Sequence, residues 1–298
     1  MSNNFLSSLA LWRDRSGAFS PPRALALALA IAPALPLFWR IATHDLGARP
    51  LTEISHVTGL WAIRLLAATL AVTPLIALLR RPRLAPARRI LGVAVFVWMM
   101  AHFLAFVADK TFDPVVLARE IVLRIYLLIG MVALLMLGAL AATSTDGMIA
   151  RLGAERWRRL HLLVYPIAIL GLAHYFMQSK QDVSAPTALS GVFLLLGLMR
   201  VARRFGAQLT PLVALGLAIA ATLATALAEA IYIAVKFGAP LTAALQSDID
   251  FSYEIRPCWL PLGIGTIMAV AGFVRARMQG EDARAKRAAE PISSARPR

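Results

Sequence analysis

Residues 90–108, ILGVAVFVWMMAHFLAFVA, and residues 160–178, LHLLVYPIAILGLAHYFMQ, decide the fold. Each is an apolar run about as long as a helix needs to cross roughly 30 Å of hydrocarbon. Each also carries histidine: His102 in the first, His161 and His174 in the second. An imidazole left in hydrocarbon costs free energy unless it has a partner. Three in one bundle point to a common ligand, and haem iron is the ligand such residues suit.

The same apolar pattern recurs along the chain. Spans are expected at roughly 24–40, 57–79, 90–108, 121–142, 160–178, 187–204, 210–235 and 257–274. The fold class is therefore all-α, a polytopic transmembrane helix bundle. Pro33, Pro36, Pro74 and Pro166 fall inside spans, where neighbouring helices can satisfy the carbonyls they free. The first span is rich in A-x-A and resembles a signal peptide, but its prolines and the regular topology that follows favour a retained helix.

The net charge of +15 does not indicate nucleic acid, because the charges lie between the spans rather than along one face. The partner of such a chain is membrane lipid. Cys258 is the only cysteine, and there is no CxxC or CxxCH. A disulfide framework, iron–sulfur ligation and covalent c-type haem attachment are excluded within this chain. With no GxGxxG and no Walker loop, any soluble redox partner is a separate protein.

Basic residues orient the bundle. One side carries Arg80, Arg81, Arg83, Arg88 and Arg89, then Arg151, Arg156, Arg158 and Arg159, then Arg200, Arg203 and Arg204. The other carries mostly acids, among them Glu53, Asp109, Glu120, Asp248 and Glu254. The basic side is expected to be cytoplasmic, with both termini on it. Residues 1–23 form a cytoplasmic segment, and the basic tail 275–298 is expected to be disordered.

Depth follows from the helical rise. His102 lies thirteen residues past Arg89, about 20 Å up, and His174 fifteen past Arg159, about 22 Å up. Two imidazoles at matched depth on neighbouring helices can ligate one haem iron from both faces. His161 lies near the cytoplasmic face, about 20 Å below His174. The matching position on the third span holds Arg88 and Arg89, so a second haem at His161 needs another ligand or is five-coordinate. The competing reading makes all three histidines helix–helix hydrogen-bond donors. Metal transport is a further alternative, but the clearest intramembrane carboxylate, Glu229, stands apart from them.

Arg64 and Arg124 fall in or beside the outer half of spans. Either they bind haem propionates or they snorkel to the outer headgroups. His56 is expected at the outer interface. Trp39, Trp61, Trp98, Trp157 and Trp259 read as interfacial anchors.

Four stretches carry a family resemblance: LGARPLTEISHVTG, RRILGVAVFVWMMAHFLAF, REIVLRIYLLIGMVALLMLGALAATST and LGAERWRRLHLLVYPIAILGLAHYF. They resemble MsrQ, also called YedZ, within the ferric reductase-like transmembrane group. The resemblance covers roughly residues 30–205. It implies a six-helix haem-binding domain over 24–205 in the bacterial inner membrane. Residues 206–274 are then an added two-helix hairpin of unknown role. It implies a b-type cytochrome that passes electrons to a periplasmic molybdenum reductase, MsrP, for repair of oxidised methionine. The donor is the quinone pool or a cytoplasmic flavin reductase, with FMN as an additional cofactor. His102, His161 and His174 match the family's haem histidines, while the inner third-span histidine of the larger group is absent.

The reading that follows is an electron-transfer subunit with haem b at His102 and His174. A metalloreductase for ferric or cupric ions is the first alternative. A non-redox transporter or scaffold with structural histidines is the second.

Overall fold

The computed structural model describes residues 12–14, 16–179, 182–252 and 254–289, with backbone only for 282–289. Parts of the expected N-terminal segment (1–11 and 15) and of the tail (290–298) lie outside the described residues.

The helices are α1 (Pro21–Ile31), α2 (Ala34–Ala42), α3 (Pro50–Leu79), α4 (Ala85–Asp109), α5 (Pro114–Leu123), α6 (Ile125–Ala142), α7 (Asp146–Leu152), α8 (Ala154–Leu160) and α9 (Val164–Gln178). They continue with α10 (Ser184–Arg204), α11 (Pro211–Phe237), α12 (Leu241–Ser247) and α13 (Trp259–Ala289). Among the described residues no strand forms, and 8 helical stretches are long and apolar enough to cross a membrane. The chain is a multi-pass membrane protein.

Three departures from the expected spans have local causes. The first span breaks into α1 and α2 ahead of Pro33, which has no N–H to continue the ladder. Beside the break, the Ala30 carbonyl accepts from Trp98 Nε1 at 2.9 Å. Trp98 is therefore a buried tether in mid-helix, not an interfacial anchor. The span expected over 121–142 is preceded by a separate helix, α5. Asp113 caps α5 by accepting from the Val115 and Val116 amides at 2.8 and 3.1 Å, and Pro114 takes the first position. The break falls at Arg124, whose backbone is extended. Lastly, α13 runs on to Ala289 through a stretch expected to be disordered. Its Ala, Arg, Glu and Lys residues are strong helix formers, and Arg277 pairs with Glu281 one turn on.

The chain divides into two compact units. One comprises residues 1–73 and 82–193. In it α6 packs against α9, α1 against α4, and α4 against α6. The other comprises residues 74–81 and 194–298, so the two units divide within α10. The reason is that Leu195 and Met199, on the second half of α10, are fully buried in a core with Leu78, Ala218, Ala221 and Met268. The pairing of α11 with α13 dominates this unit. Gly265 makes it possible, since a Cβ there would stand 2.2 Å from that of Ala218.

Candidate metal centre in the membrane

His102 on α4 and His174 on α9 meet inside the first unit. Their ring centroids are 6.1 Å apart and their planes 85° apart. A ligating imidazole nitrogen sits about 2 Å from its metal, with the ring centroid about 1 Å behind it, so rings opposed across one ion stand about 6 Å apart. The observed spacing fits a single metal held from two sides.

Both rings are fixed in the same way. His102 Nδ1 donates to the Ser55 carbonyl at 2.7 Å, and His174 Nδ1 donates to the Tyr126 carbonyl at 2.7 Å. A carbonyl only accepts, so Nδ1 carries the proton and Nε2 keeps its lone pair. That tautomer is the one a metal requires, and the carbonyl raises the basicity of the ligating nitrogen.

A glycine stands four residues beyond each accepting carbonyl. Gly59 follows Ser55 on α3, and Gly130 follows Tyr126 on α6. Helical side chains lean toward the N-terminus, so a residue at that position covers the carbonyl one turn back. A Cβ on Gly59 would lie 2.8 Å from His102 Nδ1, and one on Gly130 would lie 2.9 Å from His174 Nδ1. Glycine thus opens each carbonyl to its histidine. Glycine in a helix costs about 1 kcal/mol against alanine. Two such positions in apolar spans, Gly59 and Gly130, are the sequence signal of this device.

The histidines border a cavity of about 590 Å³, within the range of roughly 300–1,000 Å³ common for cofactor sites. Its walls are apolar over most of their depth, with Ile63, Leu66, Met99, Phe103, Leu134 and Ile167 among them. Polar groups gather toward one end: Glu53, Ser55, His56, Asp109 and Gln178. His56 thus lines the mouth of the cavity. Glu53 there is paired with Arg40 at 2.9 Å. The paired donors, the space the glycines leave and the apolar enclosure fit a haem ligated by His102 and His174.

The other expected site residues lie elsewhere. His161 sits in a short 3-10 turn, His161–Leu163, that joins α8 to α9. Its ring stacks on Trp157 with centroids 3.9 Å apart, and its Nδ1 bonds the Trp157 carbonyl at 3.0 Å. Its Nε2 lies 3.4 Å from Ser144 Oγ. His161 does not line the cavity. Arg64 is exposed and lies over the Trp61 ring at 5.1 Å. Arg124 pairs with Glu120 at 2.7 Å and donates to the Tyr126 hydroxyl at 3.1 Å. The Tyr126 hydroxyl, through its hydrogen bond and its charge, and then Glu120 raise the pKa of the guanidinium. Neither arginine lines the cavity.

Comparison with known proteins gives the class first. A family model described as the ferric reductase like transmembrane component matches residues 58–172, which takes in His102 and His161 and ends just ahead of His174. No solved structure matches the chain. The relatives are more specific. The chain is similar to the protein-methionine-sulfoxide reductase heme-binding subunit MsrQ of Caulobacter vibrioides, 39% identical over 183 residues, covering 60% of this chain and 87% of that protein. The same-named protein of Rhodospirillum rubrum is 40% identical over 185 residues, covering 59% and 86%. That of Xanthomonas campestris pv. campestris is 40% identical over 190 residues, covering 61% and 87%. The chain belongs to the MsrQ family.

Proposed function

We propose that this protein is the haem-binding electron-transfer subunit of a methionine sulfoxide reductase system, with one haem b held between His102 and His174. The observation that carries the proposal is the matched pair of imidazoles, each with Nδ1 tied to a carbonyl and its ring set against a glycine. Haem bound there supplies one-electron chemistry. The chain's own residues do the rest. His102 on α4 and His174 on α9 would hold the iron. Ser55 and Tyr126 hold their tautomer, and the apolar walls keep water from the centre.

The basic side of the bundle faces the cytoplasm of a bacterial inner membrane, with both termini on that side. By the depth count the His102 and His174 centre then lies in the outer half of the bilayer. From there electrons pass to a periplasmic MsrP-like molybdenum reductase that repairs oxidised methionine. The donor is the quinone pool or a cytoplasmic flavin reductase, with FMN as an additional cofactor. These partners rest on the family resemblance, and the outer position of the centre makes a periplasmic acceptor reasonable.

The test is made in cells and in isolation. Deleting this protein should leave the partner's catalysis intact with an artificial dye donor, and should abolish repair of oxidised periplasmic methionine. The wild-type protein should restore repair, and His174→Ala should not. Full repair in the deletion strain with no other donor induced would reject the reading and favour reduction of ferric or cupric ions at the outer face.

A further inference from the structure

The second unit carries a buried cluster that the haem site does not use. Glu229 lies on α11 at 6% exposure, Asp248 follows α12 at 5%, and Cys258 precedes α13 at 1%. One ligand atom from each, two carboxylate oxygens and a thiol sulfur, lie within 4.8 Å of one another. The three come from different elements, so the fold of this unit assembles the group. Trp259 Nε1 donates to the Asp248 carbonyl at 2.7 Å and pins the segment in place.

Arg256 is the neighbouring cation. Its Nη2 donates to Glu229 Oε1 at 2.6 Å, and its Nη1 to Glu254 Oε1 at 3.1 Å. Its Nε is 3.8 Å from Asp248 Oδ1, an ion-pair distance too long for a hydrogen bond. Glu229 Oε2 and both oxygens of Asp248 are buried with no hydrogen-bond partner. A buried carboxylate without hydrogen bonds is costly, and a guanidinium shared among three carboxylates does not offset that cost. One oxygen of each carboxylate lies within 4.8 Å of the Cys258 sulfur, and the orphaned oxygens call for a further positive charge.

We propose that Glu229, Asp248 and Cys258 bind one divalent transition-metal ion, with zinc the best match. The thiol selects a borderline-soft ion over magnesium or calcium, and the carboxylates suit zinc as co-ligands. On binding, the Cys258 sulfur exchanges its proton for the metal, and that proton leaves to solvent. Three anionic ligands then face a dication and Arg256, which offset them, while Glu254, the other partner of Arg256, is 60% exposed and solvated. A pocket of about 200 Å³ lined by Ser247, Asp250, Glu254 and Arg256 adjoins the cluster through Arg256, which pairs with Glu229.

The test uses the full chain, purified in detergent, stripped with a chelator and dialysed against zinc. One zinc per chain should be retained. X-ray absorption at the zinc edge should show one sulfur neighbour at about 2.3 Å, and Cys258 is the only cysteine that can supply it. Cys258→Ser should remove the sulfur neighbour. Cys258→Ser and Asp248→Asn should each weaken zinc binding by about 100-fold or more. If a variant fails to fold, the sulfur neighbour in the wild-type protein decides the matter. Folded wild-type protein that retains no zinc, or retains it with no sulfur neighbour, would overturn the site. So would full zinc affinity in both variants. Haem content is read separately by absorption, so failure of one site does not bear on the other.

Discussion

The imidazoles of His102 and His174 stand edge to face, 6.1 Å apart, on α4 and α9, which are not consecutive in the chain. Each ring is held by a carbonyl from yet another helix, α3 for His102 and α6 for His174. Four helices therefore fix one centre.

The glycines give the first prediction. Gly59→Ala or Gly130→Ala gains about 1 kcal/mol of helix propensity. The added Cβ would press to 2.8 or 2.9 Å of a histidine nitrogen that is itself hydrogen-bonded. The clash should win, because the ring cannot retreat without giving up its carbonyl. Each variant should lose low-spin haem while the protein stays folded. Normal haem content in both would show that the carbonyl contact is not needed.

His161 should behave differently. Its ring is engaged by Trp157 and Ser144, away from the cavity. His161→Ala should keep the centre at His102 and His174 and lose a local bond worth about 1 kcal/mol. A haem-to-protein ratio that falls by half would instead reveal a second haem there.

Arg64 and Arg124 offer a similar contrast. One lies over Trp61 and the other pairs with Glu120. Arg64→Gln and Arg124→Gln should leave haem content and the reduced absorption spectrum unchanged. Loss of haem in either would restore a propionate role.

Trp98 tests the first span. Trp98→Phe removes the side-chain donor to the buried Ala30 carbonyl at the break in the first span. The expected cost is about 1–3 kcal/mol, read as a lower unfolding temperature in detergent. An unchanged temperature would mean that another donor replaces it.

Orientation is tested with a thiol reagent that cannot cross the membrane. Native Cys258 should stay silent. It is 1% exposed, and burial, then the charges of Asp248 and Glu229, push its thiol up to about 12. Without a bound ion the thiol stays protonated at neutral pH, and with one its sulfur is held by the metal. Gln246→Cys, on the exposed face of α12, should label from outside intact cells. Labelling only after permeabilisation would invert the topology.

The spans were legible because apolar length alone specifies them, and equal depth pointed to His102 with His174. What the sequence reading lacked was contact across helices. Nothing local to Gly59 says that His102 will lean on it, since the two are paired only when α3 meets α4. The depth count from Arg159 to His174 treats the stretch as one helix, and it survives the short 3-10 turn at His161–Leu163, which adds little to the rise. The cluster of Glu229, Asp248 and Cys258 was invisible for the same reason. Its members are spread over a span, a loop and a helix start, and only folding gathers them.

The most direct measurement is low-spin haem per chain in the purified full-length protein, compared with His102→Ala and His174→Ala. One centre held from both sides requires that wild type carry it and that each substitution abolish the same low-spin signal. Full low-spin haem in either variant would contradict the paired ligation on which the account rests.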